Sequence, residues 1–170
     1  MYKIGDSIMF GNCGACRILD IHTRPDNNND STLYYILQPI FDENSRIYFP
    51  VNSDKVFLRS LYSKQEVEQL IASMGTLEPL WIDDKKEREI KYRDIFKSCD
   101  SQVCMRMLKG LYLKKKDKIA GGKTLSESDI LMYRSAEKLL FEEFALALNI
   151  PVGSVSNYIN ARLQQKPVHA

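Results

Sequence analysis

The sequence is poor in histidine, and that scarcity narrows its chemistry. Only His22 and His169 occur in 170 residues, so a histidine acid–base couple or a His-rich metal site has almost no material to work with. No glycine-rich phosphate loop occurs either, since Gly121-Gly122-Lys123-Thr124 lacks the upstream glycine and strand of a P-loop. The acidic pairs Asp83-Asp84 and Glu142-Glu143 are adjacent on expected helices, so their members point to different sides and read as solvated surface rather than paired catalytic carboxylates. Together these absences argue against an enzyme and imply no cofactor. No apolar run approaches the roughly 18 residues of a bilayer span, and Met1 to Phe10 lacks a basic stretch followed by an apolar core. A cytosolic location is expected.

Cysteine is also sparse, at four residues. In a cytosolic chain these argue for thiols or a metal rather than disulfides. Cys13 and Cys16 have C-x-x-C spacing and Cys99 and Cys104 form a looser pair, which permits zinc. Yet Cys16 begins a strand pattern and Cys104 lies inside a helical one, where a small apolar thiol packs well.

What the chain does have is a normal apolar content and an uneven charge. Hydrophobic residues make up 44% and charged residues 27%, enough to bury a core. The net charge of +2 hides a split: six Lys and Arg against seven Asp and Glu over residues 1–62, and 18 against 15 over 63–170. Lys109, Lys114, Lys115, Lys116, Lys118 and Lys123 face one acid, Asp117, within a short stretch. Such a local field attracts polyanions, although a solvated lysine face produces the same pattern.

Residues 2–60 carry a strand signature. Ile8 to Phe10, Ala15 to Ile21, Leu33 to Gln38, Arg46 to Val51 and Val56 to Arg59 are rich in β-branched and aromatic residues. Gly11-Asn12, Pro25 through Asp30, and Asp42 through Ser45 separate them as turn formers. This predicts a small SH3-like or Tudor-like β-barrel with an exposed edge.

After Tyr62 the period changes from two to about 3.6. Ser63-Lys64-Gln65-Glu66 is a capping box, Val67, Leu70, Ile71 and Met74 form an apolar stripe, and Gly75 is expected to end the helix in a left-handed conformation. Pro79 restarts the chain toward a charged second helix marked by Ile82, Ile90, Ile95 and Phe96 and ending near Lys97. Asp100 can cap a third helix, with Val103, Met107, Leu108 and Leu111 buried and Gly121-Gly122 as its stop. Thr124 or Ser126 caps a fourth, whose stripe runs through Ile130, Leu131, Ala136, Leu139, Leu140, Phe144 and Leu148. Pro151 precedes a last helix through Tyr158 and Leu163. The fold class expected is therefore α+β: a barrel at 1–61, an all-α bundle of about five helices at 62–165, and a frayed tail at 166–170.

This order, together with particular words, resembles the CarD family of RNA polymerase-binding regulators. The words are Tyr2-Lys3-Ile4-Gly5-Asp6, Gly11-Asn12-Cys13-Gly14, Thr23-Arg24 and Phe49-Pro50-Val51. In the C-terminal part they are Leu111-Tyr112-Leu113-Lys114-Lys115-Lys116, Ala136-Glu137-Lys138-Leu139-Leu140 and Glu142-Glu143-Phe144-Ala145-Leu146. The resemblance implies that the barrel, similar to the polymerase-interacting domain of the transcription-repair coupling factor, docks an edge strand on the polymerase β subunit. It implies Arg24 and the segment Ile47-Tyr48-Phe49-Pro50 as contacts, with Tyr48 standing where some members place arginine. It also implies a helical domain at the upstream edge of the transcription bubble, with Trp81 as a minor-groove wedge. Lys85, Lys86, Arg88, Lys109, Lys114, Lys115 and Lys116 are then candidates for phosphate contact, giving weakly sequence-specific affinity to promoter DNA. The protein would act as a monomer and stabilise the open promoter complex.

Three other readings remain. In the segment 144–159, Ala145, Asn149-Ile150, Val155 and Tyr158 fit a helix-turn-helix in which Ser154, Ser156 and Asn157 would face bases. Cys13 and Cys16 could serve a zinc or thiol-redox protein. An adaptor would join polymerase to another protein through the bundle.

Overall fold

The computed structural model describes residues 1–25, 31–53 and 57–164. The turn residues 26–30, Val56, His169 and the expected frayed tail lie outside the described residues. The architecture is α+β, in two units: Met1–Leu61 with Lys97–Cys99, and Tyr62–Phe96 with Asp100–Ala170.

The first unit contains β1 (Ser7–Phe10), β2 (Gly14–Pro25), β3 (Ser31–Pro39), β4 (Ile47–Pro50) and β5 (Leu58–Ser60). All neighbours are antiparallel, in the spatial order β4-β3-β2-β1-β5. The expected barrel is not closed: β4 and β5 are the two edges and do not pair with each other. They are four and three residues long, too short to carry the tilt and stagger that closure requires. Ile8, Phe10, Cys16, Ile18, Tyr35, Leu37 and Phe49 form the core on one face, where the Phe10 and Phe49 rings meet edge to face at 4.9 Å. Gly14, at φ 83° and ψ −149°, takes the chain from the single 3-10 turn at Gly11–Cys13 into β2 through a conformation open to glycine alone.

The strand expected to stop at Ile21 runs on to Pro25, because its polar end pairs with β3 as far as Pro25 opposite Ser31. A bulge lies between Ile18 and Asp20. The inserted Leu19 lets both Ile18 and Ile21 turn to the core, so that Asp20, His22 and Arg24 share the opposite face.

The second unit is built from α1 (Lys64–Ser73), α2 (Lys85–Ser98, whose last two residues count with the first unit), α3 (Ser101–Ala120), α4 (Glu127–Leu148) and α5 (Val155–Gln164). Both halves of the Ser63–Glu66 capping box form, Asp100 accepts from the Val103 N–H to start α3, and Ser126 accepts from Asp129 to start α4. Gly122, at φ 69°, follows the end of α3. Gly75 is not left-handed. The job assigned to it falls to the Lys109 ammonium, which donates to the Met74, Gly75 and Leu77 carbonyls at 3.1, 3.2 and 2.7 Å beyond the end of α1.

The stripes also shift. Ile90 and Leu131 are exposed. Ile95 and Phe96 are buried as expected, and Arg88 and Tyr92 join them on the buried side of α2. The Glu142-Glu143 pair, expected on solvated surface, is buried. Glu143 is fully enclosed, where its carboxylate accepts from the Tyr62 N–H at 3.1 Å and the Ser101 hydroxyl at 3.0 Å. It thereby ties the starts of α1 and α3 to the middle of α4.

Candidate functional site

In the first unit, the free edge of β4 and the outward face of β2 make one surface. Ile47 and Phe49 turn inward to the core and can reach a partner only through their backbone, whereas Tyr48 is 46% exposed. Tyr48 pairs with Ile36 of β3, which pairs with Asp20 of β2, so all three lie in one cross-strand row. The Arg24 guanidinium lies 4.2 Å from the centroid of the Tyr48 ring, a cation–π contact. Arg24 and the segment 47–50, read from sequence as separate contacts, are thus brought together.

The second unit holds the indole. Trp81 follows Pro79-Leu80 in a segment that is neither helix nor strand, and this segment is clamped from several sides. The Leu80 N–H donates to the Arg106 carbonyl at 2.9 Å and the Leu80 carbonyl accepts from the Tyr92 hydroxyl at 3.1 Å. Arg106 Nε donates to the Glu78 carbonyl at 3.0 Å. Burial pushes the Tyr92 phenol up to about 12, so it remains a donor. Gly110 lets α3 pass so close that a Cβ there would sit 2.1 Å from the Leu80 oxygen.

The ring itself is pinned. Its Nε1–H donates to Asp83 at 2.8 Å, and the Arg88 guanidinium lies 4.2 Å from its centroid. Arg88 is buried and bidentate to Asp129 at 2.9 and 3.0 Å, and it donates further to the Ile82 and Asp83 carbonyls. Burial raises the Asp129 carboxyl, but the hydrogen bonds from Arg88 and Ser126 outweigh it and hold the group below the usual carboxylate value. The Lys114 ammonium is 5.3 Å from the indole centroid.

Trp81 lines a cleft of about 340 Å³ together with Asp83, Lys85, Arg88, Lys114, Lys118, Leu125, Ser126 and Asp129. Lys114 and Lys118 also line an adjoining cleft of about 300 Å³ with Asp117, Gly121 and Lys123. The sequence candidates therefore separate. Trp81, Lys85, Arg88 and Lys114 converge on one cleft, although Arg88 is committed to Asp129. Lys109 is committed to the end of α1, and the Lys115 ammonium lies 5.0 Å over the Tyr133 ring. Lys86 and Lys116 are exposed and line neither cleft. Lys118 and Lys123 join the site although only the lysine run had pointed to them. The supports at Arg106, Tyr92 and Asp129 were not foreseen, and the one signal was Gly110, a glycine inside a helix that costs about 1 kcal/mol unless packing demands it.

The other sequence motifs stand elsewhere. Cys16 is buried in the β core, Cys13 lies in the 3-10 turn, and no cysteine is in a disulfide. Burial pushes the Cys104 thiol up to about 12. Among the described residues no group of three or more His, Cys, Asp or Glu could hold a metal ion. No single helix among them is long and apolar enough to cross a membrane. Asn149, left-handed at φ 55°, ends α4, and the chain bends by 100° into the 3-10 turn and α5, with Ser154, Ser156 and Asn157 exposed.

Among the described residues β4 is an edge strand of an open antiparallel sheet, with the Arg24–Tyr48 cation–π pair beside it. Residues 2–62 match the family model of the CarD-like/TRCF RID domain. The chain thus carries a domain of this family over its first third, and that domain points to an RNA polymerase-interacting, transcription-related protein. No curated protein matches the chain.

Proposed function

We propose that the protein binds the RNA polymerase β subunit through the β4 edge, Arg24 and Tyr48, and stabilises the open promoter complex with Trp81 and the lysines beside it. Strand addition at β4 supplies backbone hydrogen bonds, and Arg24 and Tyr48 supply side-chain specificity. At the DNA, Lys85, Lys114, Lys118 and Lys123 neutralise phosphates, and the indole edge rests against base pairs at the upstream end of the bubble. Affinity is greater for the melted state than for the closed duplex, and that difference alone shifts the opening equilibrium. The protein acts without catalysis, as a cytosolic monomer.

The observation that carries this reading is the rigid indole at the rim of a lysine-lined cleft. An aromatic group that must hold a duplex open works best when it is pre-positioned, since its ordering cost is then met by the fold. Trp81→Ala should shorten the lifetime of open promoter complexes while leaving binding to polymerase unchanged. An unchanged lifetime with the variant bound would overturn the DNA part, and failure of the native protein to bind the β subunit would overturn the docking part.

The 100° bend between α4 and α5 favours a second reading, a helix-turn-helix. Against it stands Arg162, the only cation of α5, whose guanidinium pairs with Glu68 at 2.9 Å and lies beside the Tyr158 hydroxyl. Tight binding to a defined duplex without polymerase would decide for it.

A further inference from the structure

The outward face of β2 carries more than one cation. Arg24 Nε donates to His22 Nε2 at 2.8 Å, and His22 Nδ1 stands 3.3 Å from Asp20 Oδ2. Arginine can only donate, so His22 Nε2 must be the bare nitrogen of a neutral ring whose Nδ1–H is directed at Asp20. The His22 hydrogen bond, with help from the Ile21 N–H, holds the Asp20 carboxyl below the usual carboxylate range. The relay is laid out by the Leu19 bulge, which puts residues 20, 22 and 24 on one face. Tyr48 supplies its floor, 4.2 Å below the Arg24 guanidinium and in edge contact with the His22 ring at 6.5 Å. The titratable and charged groups facing His22 are Asp20 and Arg24 on β2, Tyr34 opposite it on β3, and Tyr48 on β4.

The geometry points to His22 as the positioning residue for Arg24: the imidazole fixes the guanidinium through Nε, so that its two terminal amino groups are presented to a carboxylate of the polymerase β subunit. This rests on the docking reading above. Among the described residues those amino groups have no hydrogen-bond partner, and the paired N–H fork matches a carboxylate in two parallel bonds. An exposed arginine ordinarily loses much rotamer entropy on binding, and here the imidazole acceptor and the tyrosine ring have already taken that freedom. A protonated ring has no lone pair on Nε2 and carries a charge of the same sign. Arg24 is then released and the contact weakens.

The test measures binding of the full chain to purified polymerase β subunit between about pH 7.5 and about pH 5.5. Native protein should lose about tenfold in affinity on acidification, the size of one hydrogen bond to a charged group. His22→Gln keeps an acceptor that does not titrate. It should bind like the native protein near pH 7.5 and vary less with pH, which also subtracts any titration of the polymerase. His22→Leu should bind about tenfold more weakly even near pH 7.5. Equal binding by His22→Leu and native protein would overturn the assignment.

The second arm needs no partner. The Arg24 Nε–H resonance of the free protein should be slow to exchange in the native chain and in His22→Gln, and fast in His22→Leu and in acid. If native protein does not bind the β subunit at any pH, the docking reading falls, and this resonance alone decides whether His22 positions Arg24. An Nε–H that exchanges equally fast in all variants would overturn it.

Discussion

Replacing Arg88 with methionine removes the hydrogen bonds to Asp129, Ile82 and Asp83 at once and leaves a buried carboxylate without its cation. The expected loss is about 3–5 kcal/mol, because an uncompensated buried charge costs more than the pair contributes. Urea denaturation would measure it, and the emission of the single tryptophan would report whether the indole has come loose from its guanidinium cover. The pH dependence follows from the Asp129 shift. Its carboxyl lies below the ordinary value, so its contribution is complete above about pH 4 and is lost as the pH falls through the lowered folded value. Glu142 runs the other way: burial raises its carboxyl against the pull of Lys138. Its ionised form is penalised, so stability falls as the pH rises from the ordinary glutamate value through the raised one. Glu142→Gln should raise the melting temperature at neutral pH and remove that slope. A lower melting temperature would contradict the sign.

At the scale of elements, α3 is the member that most constrains the site. On propensity alone, Gly110→Ala should stabilise the helix by about 1 kcal/mol. The added Cβ would instead meet the Leu80 oxygen at 2.1 Å. The contact outweighs the propensity, since the Leu80 oxygen belongs to the backbone and cannot swing away. The variant should keep its helical circular dichroism, melt at lower temperature and show altered tryptophan emission. How these elements could be read from the sequence depends on range. Ser63, Asp100 and Ser126 announce helix starts because each cap is settled within three residues. Gly75 misleads because the carbonyls near it are satisfied by Lys109, more than thirty residues on. Glu143 misleads for the same reason, since its partners Tyr62 and Ser101 lie more than forty residues away. The strand boundary read at Ile21 falls short because polar outward residues on an antiparallel strand look like loop until their partner strand is known.

For the whole molecule, binding to DNA should be dominated by salt. Contacts from Lys85, Lys114, Lys118 and Lys123 would give a plot of log affinity against log salt a slope of about −3.6, and Lys118→Ala should reduce its magnitude by about one. Lys86→Ala and Lys116→Ala, whose side chains line neither cleft, should leave the slope nearly unchanged. Fluorescence anisotropy over a salt series distinguishes these outcomes. The lysine run alone could not make this division, because it fixes how many cations are present and not which turn of α3 faces Trp81.

The bond from the indole nitrogen to Asp83 has one more effect. A tryptophan has a single polar hydrogen, and this one is already spent inside the protein, so only hydrocarbon edge remains for whatever lies against it. Such a surface distinguishes neighbours by fit and by how readily they part, and is blind to their pattern of donors and acceptors. Exchanging the adjoining base pair for another of equal stacking strength should therefore leave the response to this protein nearly unaltered, so promoters should differ in their reaction to it through ease of melting and not through any shared word.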